Sequence, residues 1–121
     1  MPASENVVMR KQTTAFIAVY PQSIALVRTA MVSDGAGGVV SSGPSPLPAQ
    51  IFRQITQPTN TQVLRRTIDG EEVQPDFVLL GEWDADVAVG DWYMKDGAKH
   101  EIVYVKEDRR YETWAEVKYR G

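Results

Sequence analysis

The chain has 121 residues, of which 43% are hydrophobic and 24% are charged, and its formal net charge is −3. This length predicts one domain that buries about two-thirds of its unfolded surface. The absence of cysteine excludes disulfides, thiolate metal sites and a cysteine nucleophile. No run approaches the roughly 18 apolar residues of a membrane span, and the start lacks the apolar core of a signal peptide.

The first 48 residues predict an arm, a strand and a long loop. Residues 1–14 are polar and weakly patterned, so we expect an extended N-terminal arm that becomes ordered only against another surface. Aliphatic and β-branched residues from Ile24 to Val32 predict a strand. Gly, Ser and Pro are dense from Ser33 to Pro48, which predicts a long, weakly structured loop. Loops of more than about 12 residues are uncommon in compact domains and tend to be functional.

The middle of the chain predicts one alternating strand and a short hairpin. In residues 49–56, apolar and polar side chains alternate so that Ile51 and Ile55 share one face. Phe52 is out of phase with this pattern. The Asp69-Gly70 pair follows a short polar strand and favours a second hairpin.

The segment from Phe77 to Gly121 predicts an antiparallel β body. Its Asp96-Gly97 pair lies between two β-rich runs and predicts a type I′ hairpin turn, which needs a positive φ at both central residues. The final strand, Tyr111–Tyr119, places Trp114 on its polar face, where a partly covered packing residue is favoured over a binding anchor. We therefore expect a mainly β fold: a single small antiparallel β-barrel or sandwich with one long Gly/Ser/Pro-rich loop.

Charge is divided unequally along the chain. Residues 1–70 hold six Lys or Arg and three Asp or Glu, whereas residues 71–121 hold seven and thirteen, so the two parts carry +3 and −6. Two interpretations are open. The parts could form oppositely charged faces that stack in an assembly, or the charges could be ordinary surface scatter, since sequence halves need not form molecular faces.

Motifs for catalysis, cofactors and metals are missing. His100 lies on a predicted strand, and no Gly-x-Ser-x-Gly elbow accompanies it for a hydrolase. The glycines of residues 35–38 lack the Gly-Lys-Ser/Thr ending of a phosphate loop. The acidic residues of segment 82–91 do not follow calcium-loop spacing, which favours a solvated acidic segment. We expect no catalytic residue, no cofactor and no metal site, and thus no enzyme.

Segments spread over about a hundred residues carry a family resemblance. In chain order they are Phe16-Ile17-Ala18 with Pro21, Ile24–Arg28, Gly37-Gly38, Leu47–Gln50 with Arg53, Thr67–Gly70, Val78–Gly81, Asp84-Ala85-Asp86, Val89-Gly90-Asp91, Asp96-Gly97, Glu101–Val105 and Tyr111–Val117. Together these segments resemble the head-closure (stopper) proteins in the neck of tailed bacteriophages, relatives of the small head–tail joining proteins.

The resemblance implies a structural virion protein, made in the host bacterial cytoplasm, that forms a homo-oligomeric ring. The ring would contact portal or adaptor proteins on one side and a tail or tail-terminator protein on the other, with no membrane partner. A loop from each subunit would enter the axial channel, help retain packaged DNA and touch the double-stranded DNA transiently and non-specifically. No Lys or Arg lies in the predicted loop, which suits a gate that DNA must pass.

Two sets of candidate site residues follow. The channel-loop set consists of Asp34, Gly35, Ala36, Gly37, Gly38, Val39, Val40, Ser41, Ser42 and Gly43. The subunit or partner interface set consists of Trp83, Asp84, Asp86 and Trp114.

Two alternative functions remain open. The first is a tail-completion or tail-terminator protein, which is also a small β-rich ring subunit and differs in its position in the virion. The second is a small β-barrel that binds single-stranded nucleic acid or a peptide. Such a module should interleave aromatic residues with Lys or Arg on one strand face, whereas Glu112 and Glu116 flank Trp114 here.

Overall fold

One helix and ten strands are formed in the residues that the structure describes. The computed structural model describes residues 2–33, 35, 39–56, 64–67, 70–108 and 110–121. The elements are α1 (Pro2–Val19), β1 (Gln22–Ile24), β2 (Val27–Ser33), β3 (Val39–Pro46), β4 (Gln50–Thr56), β5 (Arg65–Arg66), β6 (Glu72–Val73), β7 (Phe77–Gly81), β8 (Trp92–Lys95), β9 (Ala98–Val105) and β10 (Thr113–Tyr119).

Eight of the strands form one antiparallel sheet that curls into a half-barrel. Their order across the sheet is β1-β4-β7-β10-β9-β8-β2-β3. The mainly β fold with a barrel-like architecture predicted from the sequence is thereby confirmed. β5 and β6 form a separate antiparallel ribbon in which Arg65 is opposite Val73, as the predicted second hairpin requires.

The turn predicted at Asp96-Gly97 is confirmed. Asp96 has a φ of 53° and Gly97 a φ of 77°, so both central residues adopt the positive values that a type I′ turn needs. Lys95 is opposite Ala98 at the base of the turn, which joins β8 to β9.

The hydrophobic core lies on the inner side of the curled sheet. Phe52 of β4 is fully buried, and it is opposite Gly81 of β7. A Cβ atom on Gly81 would lie 2.8 Å from two ring carbons of Phe52, so glycine is required for this close approach. The core cluster comprises Ile24, Leu26, Phe52, Leu79, Ala85, Val87, Tyr93, Ile102, Ala115 and Val117.

In β4, Ile51 and Ile55 share one face, as predicted, and this face is the outer one. Ile51 is 47% exposed, whereas Phe52, which was out of phase with the alternation, points into the core. Arg53 and Ile55 lie on this outer face, because Arg53 donates a hydrogen bond to the Phe16 carbonyl of α1 and Ile55 lines a groove together with residues of α1. Because α1 packs over part of the outer face, both faces of this strand carry apolar residues.

The N-terminal arm predicted for residues 1–14 is corrected to a helix. α1 runs from Pro2 to Val19 and ends just before Pro21, which has no amide hydrogen to continue it. Only Thr13 and Ile17 of its described side chains are buried. Such a narrow buried stripe gives little periodic signal in the sequence, and the helix is stabilised by the sheet beneath it.

The long loop predicted from Ser33 to Pro48 is corrected to a hairpin. β3 occupies Val39–Pro46 and pairs along its length with β2, from Val27 opposite Pro46 to Ser33 opposite Val39. Proline lacks an amide donor and is tolerated here because β3 is the edge strand of the sheet. The prolines and glycines that predicted a loop therefore lie in an edge strand.

The barrel stays open along a seam between β1 and β8. Val27 of β2 is opposite Trp92 of β8, and no further register pair joins β2 to β8 in the described residues. Continuing this antiparallel register would place Ala25 opposite Met94. Instead the strands diverge, and a cavity of about 330 Å³ lies between residues 22–25 and 93–95.

Candidate assembly surfaces

The β2–β3 hairpin extends beyond the rest of the sheet. After the pair of Val27 with Trp92, the described part of β2 is paired with β3 alone. This part comprises the six residues from Arg28 to Ser33, and a strand rises about 3.3 Å per residue, so the ribbon continues for about 20 Å past its last pair with β8. The hairpin is thus a two-stranded projection from one end of the sheet.

The predicted channel-loop residues divide between this ribbon and its tip. Val39 to Gly43 belong to β3. Gly35 is an exposed residue with a φ of 82°, a conformation that favours glycine. Asp34 and residues 36–38 lie outside the described residues. The gating role of this set stays a prediction.

The acidic segment from Glu82 to Asp91 is anchored at several points. The Thr113 hydroxyl donates to the Glu82 carbonyl at 2.7 Å. Gln50 of β4 brackets the backbone of Asp86: its Nε2 donates to the Asp86 carbonyl at 2.9 Å, and its Oε1 accepts from the Asp86 amide at 2.7 Å. The segment is therefore held against the barrel rather than solvated along its length.

Arg28 ties this segment to β2 by a fork of hydrogen bonds. Its Nε donates to Asp91 Oδ1 at 2.9 Å, and its Nη2 donates to Asp91 Oδ2 at 2.8 Å and to Asp86 Oδ1 at 2.9 Å. These bonds, chiefly those to Asp91, raise the pKa of the guanidinium above its ordinary value, although partial burial opposes the shift. Asp91 is 1% exposed and also accepts from the Ala88 amide, so its carboxylate has a structural role.

No metal centre is formed by the acidic residues in the described ranges. No group of three His, Cys, Asp or Glu side chains there is arranged to hold an ion. Asp84 is exposed and lines a shallow cavity of about 410 Å³ with Gln50, Ile51 and Glu82.

Trp83 is covered on one side by α1. The Arg10 guanidinium lies 3.7 Å from the centre of the Trp83 ring, and the Arg10 Nε donates to the Arg110 carbonyl at 2.9 Å. Next to it, the Thr14 hydroxyl donates to Glu82 Oε2 at 2.9 Å. The indole keeps 39% of its surface exposed. Trp83 is thus both a cation–π partner within the subunit and a surface residue.

Trp114 is half-buried and its indole is fixed by a buried carboxylate. Its Nε1 donates to Glu116 Oε2 at 3.0 Å. Glu116 is 2% exposed and accepts two bonds from Arg65 of β5, at 2.8 and 3.0 Å. The Arg65 guanidinium also lies 3.6 Å from the Tyr104 ring centre, and its bond to Glu116 raises its pKa. The β5–β6 ribbon is thereby locked to the outer face of β10 and β9.

An apolar groove lies between α1 and the outer face of the sheet. Its floor follows from the strand register, which places Leu80 of β7 opposite Trp114 of β10. The groove has a volume of about 360 Å³. It is lined by Met9, Gln12, Thr13, Phe16, Ile55, Leu80, Tyr111, Glu112 and Trp114.

The four predicted interface residues therefore separate into two groups. Trp83 and Trp114 lie beside α1, whereas Asp84 and Asp86 lie beside β4. Sequence reasoning missed α1 as a surface element, because residues 1–14 were expected to form an arm. The helical spacing of Val8, Ala15 and Val19 is the signal that was available.

His100 lies inside the barrel in an aromatic cluster. Its ring stacks on Tyr93 with 4.9 Å between centres and contacts Tyr119 edge-on at 5.4 Å. Its Nδ1 is 3.1 Å from the Ala98 carbonyl oxygen. Its described contacts are those of a packed core residue.

Comparisons with known proteins add no relative. The chain matches no protein-family model, no curated protein and no solved structure. In the part of the chain that the structure describes, no helix has both the length and the apolar character of a membrane span.

Proposed function

We propose that this chain is a structural protein of the tailed-bacteriophage neck. In this proposal it forms a ring between the portal or adaptor proteins and the tail, joins head to tail and helps retain packaged DNA. The order of sequence segments that resemble head-closure proteins supports the family, and the half-barrel fold is compatible with it. The single observation that carries the function is the projecting β2–β3 hairpin.

The geometry of the hairpin suits a channel element. It leaves the sheet after one pair with β8 and continues for about 20 Å as a ribbon with no other register partner in the described residues. An isolated two-stranded ribbon is marginally stable in water. A ribbon of this kind gains order when neighbouring subunits surround it, as they would around the axis of a ring.

The composition of the hairpin suits passage of DNA. From Thr29 to Pro46 the chain contains no Lys or Arg and one acid, Asp34. Lys and Arg contacts with phosphates supply most of the non-specific affinity of a protein for DNA. A hairpin without them would obstruct the channel sterically and still release the polymer when the gate opens.

The first test is the number of copies of this chain in purified virions. Quantitative mass spectrometry against the major capsid protein should give one ring, about six or twelve copies for a closed cyclic assembly. Absence from the particle would contradict the proposal.

Labelling separates the neck from the tail-completion alternative. An antibody or tag on this chain should mark particles at the head–tail junction. A label at the far end of the tail would favour a tail-completion or tail-terminator ring instead.

A further inference from the structure

The outward side of α1 is an exposed apolar stripe with one cation in its centre. Val8, Lys11, Ala15 and Val19 are spaced by three or four residues and so share one side of the helix. All four are exposed, Val8 at 54% and Val19 at 61%. Exposed apolar side chains that share one side of a helix form a candidate contact surface.

The groove beside α1 has matching chemistry. Its lining is mainly apolar, and Glu112 is the one charged residue among the lining residues. No ion pair joins Glu112 or Lys11 to another described residue. One surface therefore offers an apolar stripe with a cation that is unpaired among the described residues, and the other offers an apolar groove with an anion that is likewise unpaired among them.

We propose that the outward side of α1 in one copy of the chain docks in the α1–sheet groove of a second copy, with Lys11 facing Glu112. Burying the apolar stripe supplies the driving force, and the single charge pair fixes the register. The two surfaces differ, so the contact is heterologous, and repeated contacts of this type close into a ring when the rotation permits. This inference rests on the self-association that the proposed function requires.

Charge reversal tests the contact. The association of the wild-type chain is measured by sedimentation velocity over a concentration series up to the millimolar range. Lys11→Glu and Glu112→Lys should each weaken association about tenfold, because a modest attraction becomes a repulsion of similar size. The double variant Lys11→Glu/Glu112→Lys restores opposite charges and should regain wild-type association.

A matched control and an apolar variant complete the design. Lys95→Glu makes the same charge change as Lys11→Glu at an exposed position at the end of β8 and should leave association unchanged. Ala15→Arg places a cation in the middle of the stripe and should abolish association. Because Lys95 and Ala15 are both exposed, the thermal unfolding of Lys95→Glu and of Ala15→Arg should match that of the wild type. Misfolding would then be excluded as the cause of any loss of association.

Three outcomes would overturn the inference: a wild-type chain that stays monomeric throughout the series, single reversals that associate as the wild type does, or a double variant that is not rescued. A monomer would leave the groove to a different protein or to none. None of these outcomes would contradict the proposed function if purified virions contain one ring of the chain. If the chain is absent from virions but the double variant restores association, the proposed neck function would be contradicted and the contact between α1 and the groove would be supported.

Discussion

At the scale of single residues, Tyr93 has an unusual environment. It is 3% exposed, and its hydroxyl is the one buried side-chain oxygen or nitrogen among the described residues that has no hydrogen-bond partner. A buried polar group without a partner loses its hydration and gains nothing in return. Tyr93→Phe removes that group and keeps the ring stacked on His100. We expect the free energy of unfolding, measured with urea, to rise by about 1 kcal/mol.

The same substitution should change the alkaline stability of the protein. Burial raises the pKa of Tyr93 from 10.0 to about 12, so the unfolded chain releases this proton first. Stability should therefore fall as pH rises through this interval, and the Phe variant should lack that part of the loss. Tyr119→Phe, at a 52% exposed side chain, is the control. Identical pH profiles for wild type and Tyr93→Phe would contradict the assignment.

Gly81 is a second residue whose identity follows from a single contact. In Gly81→Ala the new Cβ would lie 2.8 Å from Cδ1 and Cε1 of Phe52, whose ring is fully buried. Overpacking of this kind costs about 1–3 kcal/mol of folding free energy, which urea unfolding would measure.

A double-mutant cycle tests the cause of that loss. In a Phe52→Leu background the clash is relieved, so Gly81→Ala should cost at least about 1 kcal/mol less than in the wild type. An equal cost in both backgrounds would show that the alanine destabilises the barrel for another reason.

At the scale of elements, the two corrected segments show how the sheet organises the chain around it. Of the described side chains of α1, only Thr13 and Ile17 are buried, and the helix is held by contacts that cannot be predicted from its own sequence. Arg53 of β4 donates to the Phe16 carbonyl at 3.0 Å and stacks on the Phe16 ring at 3.8 Å. A carbonyl near the helix end is thus satisfied by a strand side chain, and the sheet fixes where the helix lies.

The β2–β3 hairpin should be separable from the barrel. Replacing residues 30–43 with Asn-Gly would join Thr29 to Pro44, which are already opposite each other, by a two-residue turn. Because the removed ribbon pairs only with itself in the described residues, the free energy of unfolding should change by less than about 1 kcal/mol. Phage heads that carry the variant should leak DNA, measured as the amount of genome found outside the heads after purification.

An equal-length Gly/Ser replacement of residues 30–43 is the matched control, because it keeps the chain length and removes the ribbon. Normal DNA retention in both variants would contradict the gating role and leave the joining role intact. Unfolding of the barrel in both would contradict the independence of the hairpin.

At the scale of the whole molecule, the unequal charge of the two sequence halves is partly neutralised within the subunit. Arg28 pairs with Asp86 and Asp91, and Arg65 pairs with Glu116, so cations of the first half meet carboxylates of the second. The strands of the second half occupy the middle of the sheet, between strands of the first half. The halves therefore do not form two opposed faces, and assembly is better sought in local surfaces such as the α1 stripe and its groove.

Much of the β body could be predicted from the sequence, because its signals are local. Asp96-Gly97 predicted the β8–β9 turn through the φ values that the turn demands, and these values are observed. The final strand places Thr113, Ala115 and Val117 inside the barrel, as its alternation indicated. Sequence signals of this kind depend on the conformational preferences of a few adjacent residues, so they predict the local structure wherever the segment lies in the fold.

The remaining features depended on contacts between distant segments, and only the tertiary structure decided them. Phe52 faces inward because Gly81 leaves room for it, and residues 39–46 form a strand because β2 lies beside them. Residues 2–19 are helical above a sheet that covers their narrow buried stripe. By itself the sequence determined a small, mainly β antiparallel fold and its Asp96-Gly97 turn. Which residues face the core, the helix or the solvent was decided by partners many residues away, since burial is a property of the packed molecule.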